Sequence, residues 1–329
     1  MGKRVTSLKK YDVVALGELL VDFTENGISA QRNPILEANP GGAPCNVLSM
    51  LQKLGAKTAF IGKVGKDSFG IMLRDALAEQ GIDTKNLIMD EEVLTTLAFV
   101  QTAPDGDRSF SFYRNPGADM MLRKTDVDVS LLQNTRLFHF GSLSMTAQGI
   151  EAATKMAVET AKGAGALISF DPNLRPPLWD RLDVAKEKIA YGISQCHILK
   201  ISDDEIAFFT GSMDVDDGVS KIQKQYRTPL IFATMGKKGS RVYYAGNKVE
   251  CEPFLNEDTI ETTGAGDTFL ACVLRGILEY GLEGLDTNKL YNMLEFANAA
   301  SSIITTRKGA LKVMPEEREV WNFIRDRKR

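Results

Sequence analysis

Ala166-Leu167-Ile168-Ser169-Phe170-Asp171 and His197-Ile198-Leu199-Lys200-Ile201 are two short, apolar, β-rich runs, and between them Val184–Ser194 has helical period. Strand, helix, strand in that order is the unit that joins parallel strands, because a parallel partner is reached only by a long crossover. Working outward, the rhythm recurs. Strands are expected at Val13–Leu19, Thr58–Val64, Leu137–Leu143 and Leu230–Met235, and helices at Cys45–Leu54, Phe69–Gln80, Ala147–Lys162 and Gly218–Tyr226. After Val249 the chain turns mainly helical, over Thr268–Tyr280, Lys289–Thr305 and Glu316–Arg327. The pattern predicts an α/β fold: a doubly wound, mostly parallel sheet with helices on both faces.

One segment breaks the rhythm. Thr96–Ala103 and Ser109–Arg114 are β-rich and Pro104-Asp105-Gly106-Asp107 joins them as a turn, which makes a hairpin that no βαβ unit requires. Two short strands alone are marginal in water, so the hairpin must lean on something. We expect it to pair with strands near Val21–Ile35 as a small β-sheet lid; an edge hairpin of the main sheet is the alternative. The expected organisation is one domain over residues 1–329, with a lid drawn from about 20–40 and 94–118.

Composition narrows the function classes. The 329 residues are 43% hydrophobic and 25% charged with a net charge of −3, and no stretch concentrates Lys and Arg enough to follow a nucleic-acid backbone. No apolar run is long enough to span a membrane. Val13 to Leu20 carries Glu18 and lacks a small-residue cleavage site, so no secretory signal is read. Four cysteines stand far apart without a C-x-x-C, as expected of reduced thiols in the cytoplasm. His139 and His197 both sit in apolar strands, where a hydrogen-bonded structural role is expected.

Two glycine motifs carry the chemistry. Thr262-Thr263-Gly264-Ala265-Gly266-Asp267-Thr268 opens a helix, and small residues there leave free N–H groups and the positive end of a helix dipole pointing outward. That geometry holds an anion. Asp267 stands beside it, where the dipole should keep it ionised and able to deprotonate a hydroxyl that then attacks phosphorus. The plainer reading is that Asp267 merely begins a helix. Gly41-Gly42-Ala43-Pro44-Cys45-Asn46 allows a ligand close to the backbone, with Asn46 offering donor and acceptor to sugar hydroxyls. It also reads as a turn with Pro44 early in a helix.

Both motifs in this order, over nearly the whole chain, resemble the ribokinase-like carbohydrate kinases of the PfkB family. Within it, Gly41–Asn46, Phe112–Asp119 and Asp171-Pro172-Asn173-Leu174-Arg175-Pro176 look most like a fructokinase, while the Lys-Gly-Ala-Asn form usual in ribokinases is absent. The resemblance implies ATP-dependent phosphorylation of a primary hydroxyl of a furanose, D-fructose at O6 before O1, with ATP and magnesium. It makes Asp267 the base and the amides of Gly264, Ala265 and Gly266 the anion hole. Asp22, Gly41, Gly42 and Asn46 become sugar contacts near the lid. Arg114 and Arg175 are placed facing the sugar, an apt use of an arginine fork. Lys200, Thr234, Gly236, Gly239 and Asn298 fall in the nucleotide region, and Glu205 acts through water on magnesium.

Two departures stand out. Ser202 replaces the family's Asn in the Asn-x-x-Glu region, and Glu261 replaces the Asp that in several members helps to bind potassium. Glu, one methylene longer, shifts or abolishes that site, although Thr263 and the Thr305–Gly309 loop still offer carbonyls. The family often dimerises through lid strands, so a homodimer is expected. The rivals are another kinase of the family, acting on 2-keto-3-deoxygluconate, ribose or a nucleoside, and a catalytically silent member serving as a binding or regulatory module. A dehydrogenase lacks support, having no G-x-G-x-x-G after its first strand.

Overall fold

A computed structural model describes residues 9–102 and 108–327. Strand β1 (Tyr11–Leu16) alternates its side chains between two apolar layers, Val13 and Ala15 into one and Val14 and Leu16 into the other. A strand covered on both faces belongs in the middle of a parallel sheet. Next, β2 (Leu20–Ile28) and β3 (Pro34–Gly41) leave the main sheet as an antiparallel pair. Helix α1 (Ala43–Lys53) then leads to β4 (Thr58–Gly65), and α2 (Ser68–Glu79) to β5 (Asp83–Asp90). The hairpin β6 (Leu97–Thr102) and β7 (Arg108–Tyr113) returns to β2. A second run of crossovers follows: α3 (Val129–Gln133), β8 (Thr135–Gly141), α4 (Gln148–Gly163), β9 (Leu167–Asp171), α5 (Leu182–Gln195), β10 (Ile198–Ser202), α6 (Asp203–Thr210), α7 (Val215–Tyr226) and β11 (Leu230–Thr234). The chain ends with β12 (Ser240–Tyr244), β13 (Asn247–Cys251), α8 (Ala265–Tyr280), α9 (Thr287–Ile304) and α10 (Glu317–Arg327).

The nine-stranded sheet has the order β13-β12-β11-β10-β9-β8-β1-β4-β5, parallel except where β12 pairs with β11 and β13. From β1 the chain first steps toward β5 and later, from β8, toward β13. Right-handed crossovers therefore place the two sets of helices on opposite faces. Apolar residues of α1, α2, α8, α9 and α10 share one buried layer, and those of α4 to α7 share the other.

Three strands were not expected from sequence. The edge strand β5 is largely polar, with Asp83, Lys85 and Asn86 where an apolar run would be sought. The β12–β13 hairpin turns at Ala245 and Gly246, φ 49° and 79°, and alanine in that left-handed position hides the usual turn signal. The small sheet, order β3-β2-β6-β7, is separate from the large one, so the hairpin is not an edge of the main sheet. The expected turn at 104–107 lies outside the described residues. Among the described residues, no helix is long and apolar enough to cross a membrane.

Candidate active site

The carboxyl ends of β1, β8, β9, β10 and β11 face one crevice, beside the reversal in strand order where open α/β sheets bind ligands. A cavity of about 640 Å³ lies there, between the strand ends and the small sheet. Pairing aligns Asn39, Asp22, Ala98 and Phe112 in one row across β3, β2, β6 and β7. Asn39, Asp22 and Phe112 line the cavity. The alternate residues Phe23, Phe99 and Tyr113 face the other way, with ring centroids 4.9 and 5.2 Å apart, and Phe23 meets Phe69 of α2 edge-on at 5.6 Å. Period two thus gives the small sheet an aromatic side, on which Phe23 packs against the body while Tyr113 stays exposed, and a mixed side that walls the cavity.

Each glycine motif starts a helix in a backbone conformation that needs glycine. Gly264 precedes α8 at φ 76°, and an added Cβ would lie 2.7 Å from the Ala310 Cβ. Gly42 precedes α1 at φ 122°, where a Cβ would lie 2.4 Å from the Glu18 carbonyl oxygen. The two helices pack in one layer, and Asn46 Nδ2 donates to Asp267 Oδ2 at 2.8 Å, both residues buried. Asn46 Oδ1 is buried without a hydrogen-bond partner at the cavity wall, an acceptor suited to a ligand hydroxyl.

Burial dominates the proton affinity of Asp267. It pushes the pKa up to about 6, and the Asn46 hydrogen bond, with the Lys200 and Arg175 charges, only partly offsets burial and the nearby Asp171; the carboxyl is still mostly ionised at neutral pH. Burial likewise pushes Asp22 and Glu18 up to about 7, with Arg175 opposing the shift at Asp22 and Arg114 at Glu18. In the anion loop, the Ala265 N–H donates to the Thr262 carbonyl at 3.2 Å, so it is not turned to a ligand as expected. Gly266 and Asp267 hold first-turn N–H groups with no intrahelical acceptor.

Lys200 comes from β10 and Asp171 from β9, and they pair at 3.0 Å in the buried floor. Burial works against the Lys200 charge, but Asp171 and Glu205 outweigh it and its pKa is raised. Its Nζ lies 3.0 Å from where a Gly266 Cβ would be, which brings a fixed cation to the helix start. Arg175 is exposed at the cavity rim, and Thr234 and Thr263 also line it.

Other expected ligands are engaged elsewhere. Arg114 Nε and Nη2 both bond Asp119 Oδ2, at 2.8 and 2.7 Å, and Arg114 is not on the cavity wall. Asn298 donates to the Cys251 and Glu252 carbonyls and accepts from Ser240 Oγ, so its amide ties α9 to β12 and β13. Both Glu205 oxygens accept backbone N–H groups, of Leu174 and of Ser202, each at 2.8 Å. With Ser202 Oγ accepting from Glu205 N, this is a capping box, which explains Ser at that position. Gly236 and Gly239 bound a short turn between β11 and β12, off the cavity. Gly41 ends β3 beneath the Asp22 carboxyl, 2.1 Å from where its Cβ would be.

Sequence reasoning missed Glu18, Asn39, Phe112, Asp171 and Asn173 as cavity or floor residues. A lone acid closing an apolar strand, as Glu18 and Asp171 do, was the available signal.

Residues 10–317 match the sequence family described as pfkB family carbohydrate kinase. Probable fructokinase-4 of Arabidopsis thaliana is 39% identical over 315 residues, covering 95% of this chain and 96% of that one. The crystal structure of a fructokinase with bound ATP from Xylella fastidiosa superposes with a TM-score of 0.88 at 29% identity, over 97% of this chain and 99% of that one. A fructokinase double mutant from Vibrio cholerae O395, in its fructose, ADP and potassium ion bound form, gives 0.87 at 27% identity, over 97% and 99%. A buried carboxylate at a helix start, held by an asparagine from the first glycine motif, and a match spanning both motifs lead to one conclusion: the chain belongs to the pfkB family of carbohydrate kinases.

Proposed function

We propose that this protein is an ATP-dependent fructokinase that phosphorylates the C6 primary hydroxyl of D-fructofuranose. One observation carries the reading most directly: Asp267, at the N-terminus of α8, is joined to Asn46 inside a cavity walled by a separate small sheet. Relatives named as fructokinases across nearly the full chain support the sugar, and their ATP- and ADP-bound structures support the nucleotide.

In this reading the sugar lies between the row Asn39–Asp22–Phe112 and the strand ends, with a hydroxyl donating to Asn46 Oδ1. Asp267 accepts the proton of the attacking hydroxyl, and its raised pKa makes it a stronger base than a solvated aspartate. The Gly266 and Asp267 amides, the helix dipole and Lys200 hold the phosphoryl oxygens. Arg175 adds charge at the rim. The small sheet acts as a lid that keeps water from competing with the sugar.

Among the described residues no group of three His, Cys, Asp or Glu side chains is placed to hold a metal ion, and Glu205 is occupied by backbone donors. Magnesium would therefore come with the nucleotide, where it would neutralise phosphoryl charge, and no step above passes through it. Glu261 Oε1 accepts from Gly309 N at 2.8 Å. The carboxylate thus joins the loops that would otherwise offer carbonyls to potassium, and we assign potassium no step.

Ile28 at the end of β2 and Ile35 and Leu36 on β3 are exposed, and β3 and β7 stand at the edges of the small sheet, which supports a homodimer formed through the lid. Four free, buried cysteines fit a cytoplasmic setting. The decisive experiment is coupled ADP release over a sugar panel with ATP and magnesium. Fructose should be turned over fastest; a clear preference for 2-keto-3-deoxygluconate or ribose would overturn the assignment.

A further inference from the structure

We propose that Arg114 and Asp119 form a positioning clamp that sets how the β6–β7 hairpin closes over the sugar. The kinetic consequence rests on the kinase reading above. One carboxylate gathers both ends of the hairpin. Asp119 Oδ1 accepts from Thr96 Oγ1 at 2.5 Å, just before β6, while Oδ2 receives Arg114 Nε and Nη2 at 2.8 and 2.7 Å, just after β7. Arg114 Nη2 also donates to the Leu143 carbonyl at 3.3 Å, past the end of β8, and the Leu143 residue lines the cavity. The base of the hairpin is therefore tied to the strand end that forms the cavity floor.

The clamp has little slack. Asp119 is 1% exposed and Arg114 8%. A Cβ on Gly117 would lie 1.8 Å from Thr96 Oγ1 and 2.8 Å from Asp119 Oδ1. Arg114 touches no open space in the cavity, but Phe112, two residues earlier on β7, does. Fixing the guanidinium fixes the height at which that ring meets the sugar. A planar fork that reaches a carboxylate and a carbonyl together has no lysine equivalent, since an ammonium is a compact point donor.

The test compares Arg114→Lys, Asp119→Asn and Phe112→Ala with the wild-type enzyme. In the two clamp variants KM for the sugar should rise about tenfold while KM for ATP stays within about twofold, and sugar-free ATP hydrolysis should rise relative to transfer. Arg114→Lys/Phe112→Ala should be no worse than Phe112→Ala, because the clamp acts through that ring. Hydrogen exchange, read without sugar, should speed up at β6 and β7 amides and stay unchanged in β8 to β11. That readout is independent of the substrate: a wild-type enzyme inactive on sugars sinks the kinase reading, and the clamp is then judged by exchange alone. Folded variants with unchanged sugar KM and unchanged hairpin exchange overturn the clamp, as do additive losses in the double variant. Should the charged-pair variants fail to fold, Thr96→Val removes one donor only, and hairpin exchange equal to wild type there overturns it.

Discussion

Asn46 Nδ2 and Asp267 Oδ2 are 2.8 Å apart although 221 positions separate the two residues in the chain. The bond fixes which carboxylate oxygen is occupied and leaves Oδ1 of Asp267 to take a proton. Asp267→Asn keeps the shape and removes the base. Its kcat should fall by roughly two to four orders of magnitude, with sugar binding retained, as steady-state ADP release and sugar titration will read.

The raised carboxyls predict a pH profile. Asp267 must be ionised to act as base, so kcat/KM for the sugar should climb with pH through about 6, the value to which burial lifts this group. An onset near the ordinary aspartate range, below pH 4, would contradict the burial argument.

Stability should run the opposite way. A carboxyl whose folded pKa exceeds its unfolded one favours the fold below the unfolded value, and that advantage is lost as pH rises through the folded value. For Asp267 the window is from 3.8 to about 6. At pH 8 Asp267→Asn should therefore raise Tm, by an amount worth at most roughly 3 kcal/mol, and the gain should vanish below pH 4. Scanning calorimetry at the two pH values checks it.

The buried Lys200–Asp171 pair gives a further contrast. Lys200→Met leaves Asp171 as an uncompensated buried charge and should destabilise the fold by about 3–5 kcal/mol in denaturant melts. Turnover should fall as well, because the cation nearest Gly266 is lost.

Gly264→Ala should cost about 1–3 kcal/mol, since it forces alanine to φ 76° and drives a methyl to 2.7 Å from Ala310. Gly163→Ala, at the end of α4 with nothing within 4 Å, should stabilise by about 0.4–1 kcal/mol. Equal Tm shifts in the two variants would refute the local argument.

Much of the architecture was legible because parallel strands are buried on both faces and announce themselves as apolar runs; Val13–Leu16 and Ile198–Ile201 do so. The two helix-start motifs were legible because Gly42 and Gly264 need glycine for backbone reasons. What could not be read was how polar side chains are consumed. Arg114 looked like a ligand until Asp119, only five residues away, was found to hold it, and Asn298 until three backbone and hydroxyl partners were found around it. A long polar side chain advertises reach, and its partner depends on loop geometry that no local pattern encodes. Phe112 was hidden for the opposite reason: an aromatic in a strand reads as packing, and only the register row shows that it faces open space.

Every strand of both sheets precedes α8 in the chain. The strands alone do not make the cleft: Thr263, Gly264, Gly266, Asp267 and Ala310 form part of its wall, and Asp267 reaches Asn46 only when α8 docks on α1. A chain that stops short of α8 therefore lacks one wall of the hollow as well as the carboxylate that would take the proton, so pocket and base are finished in a single step.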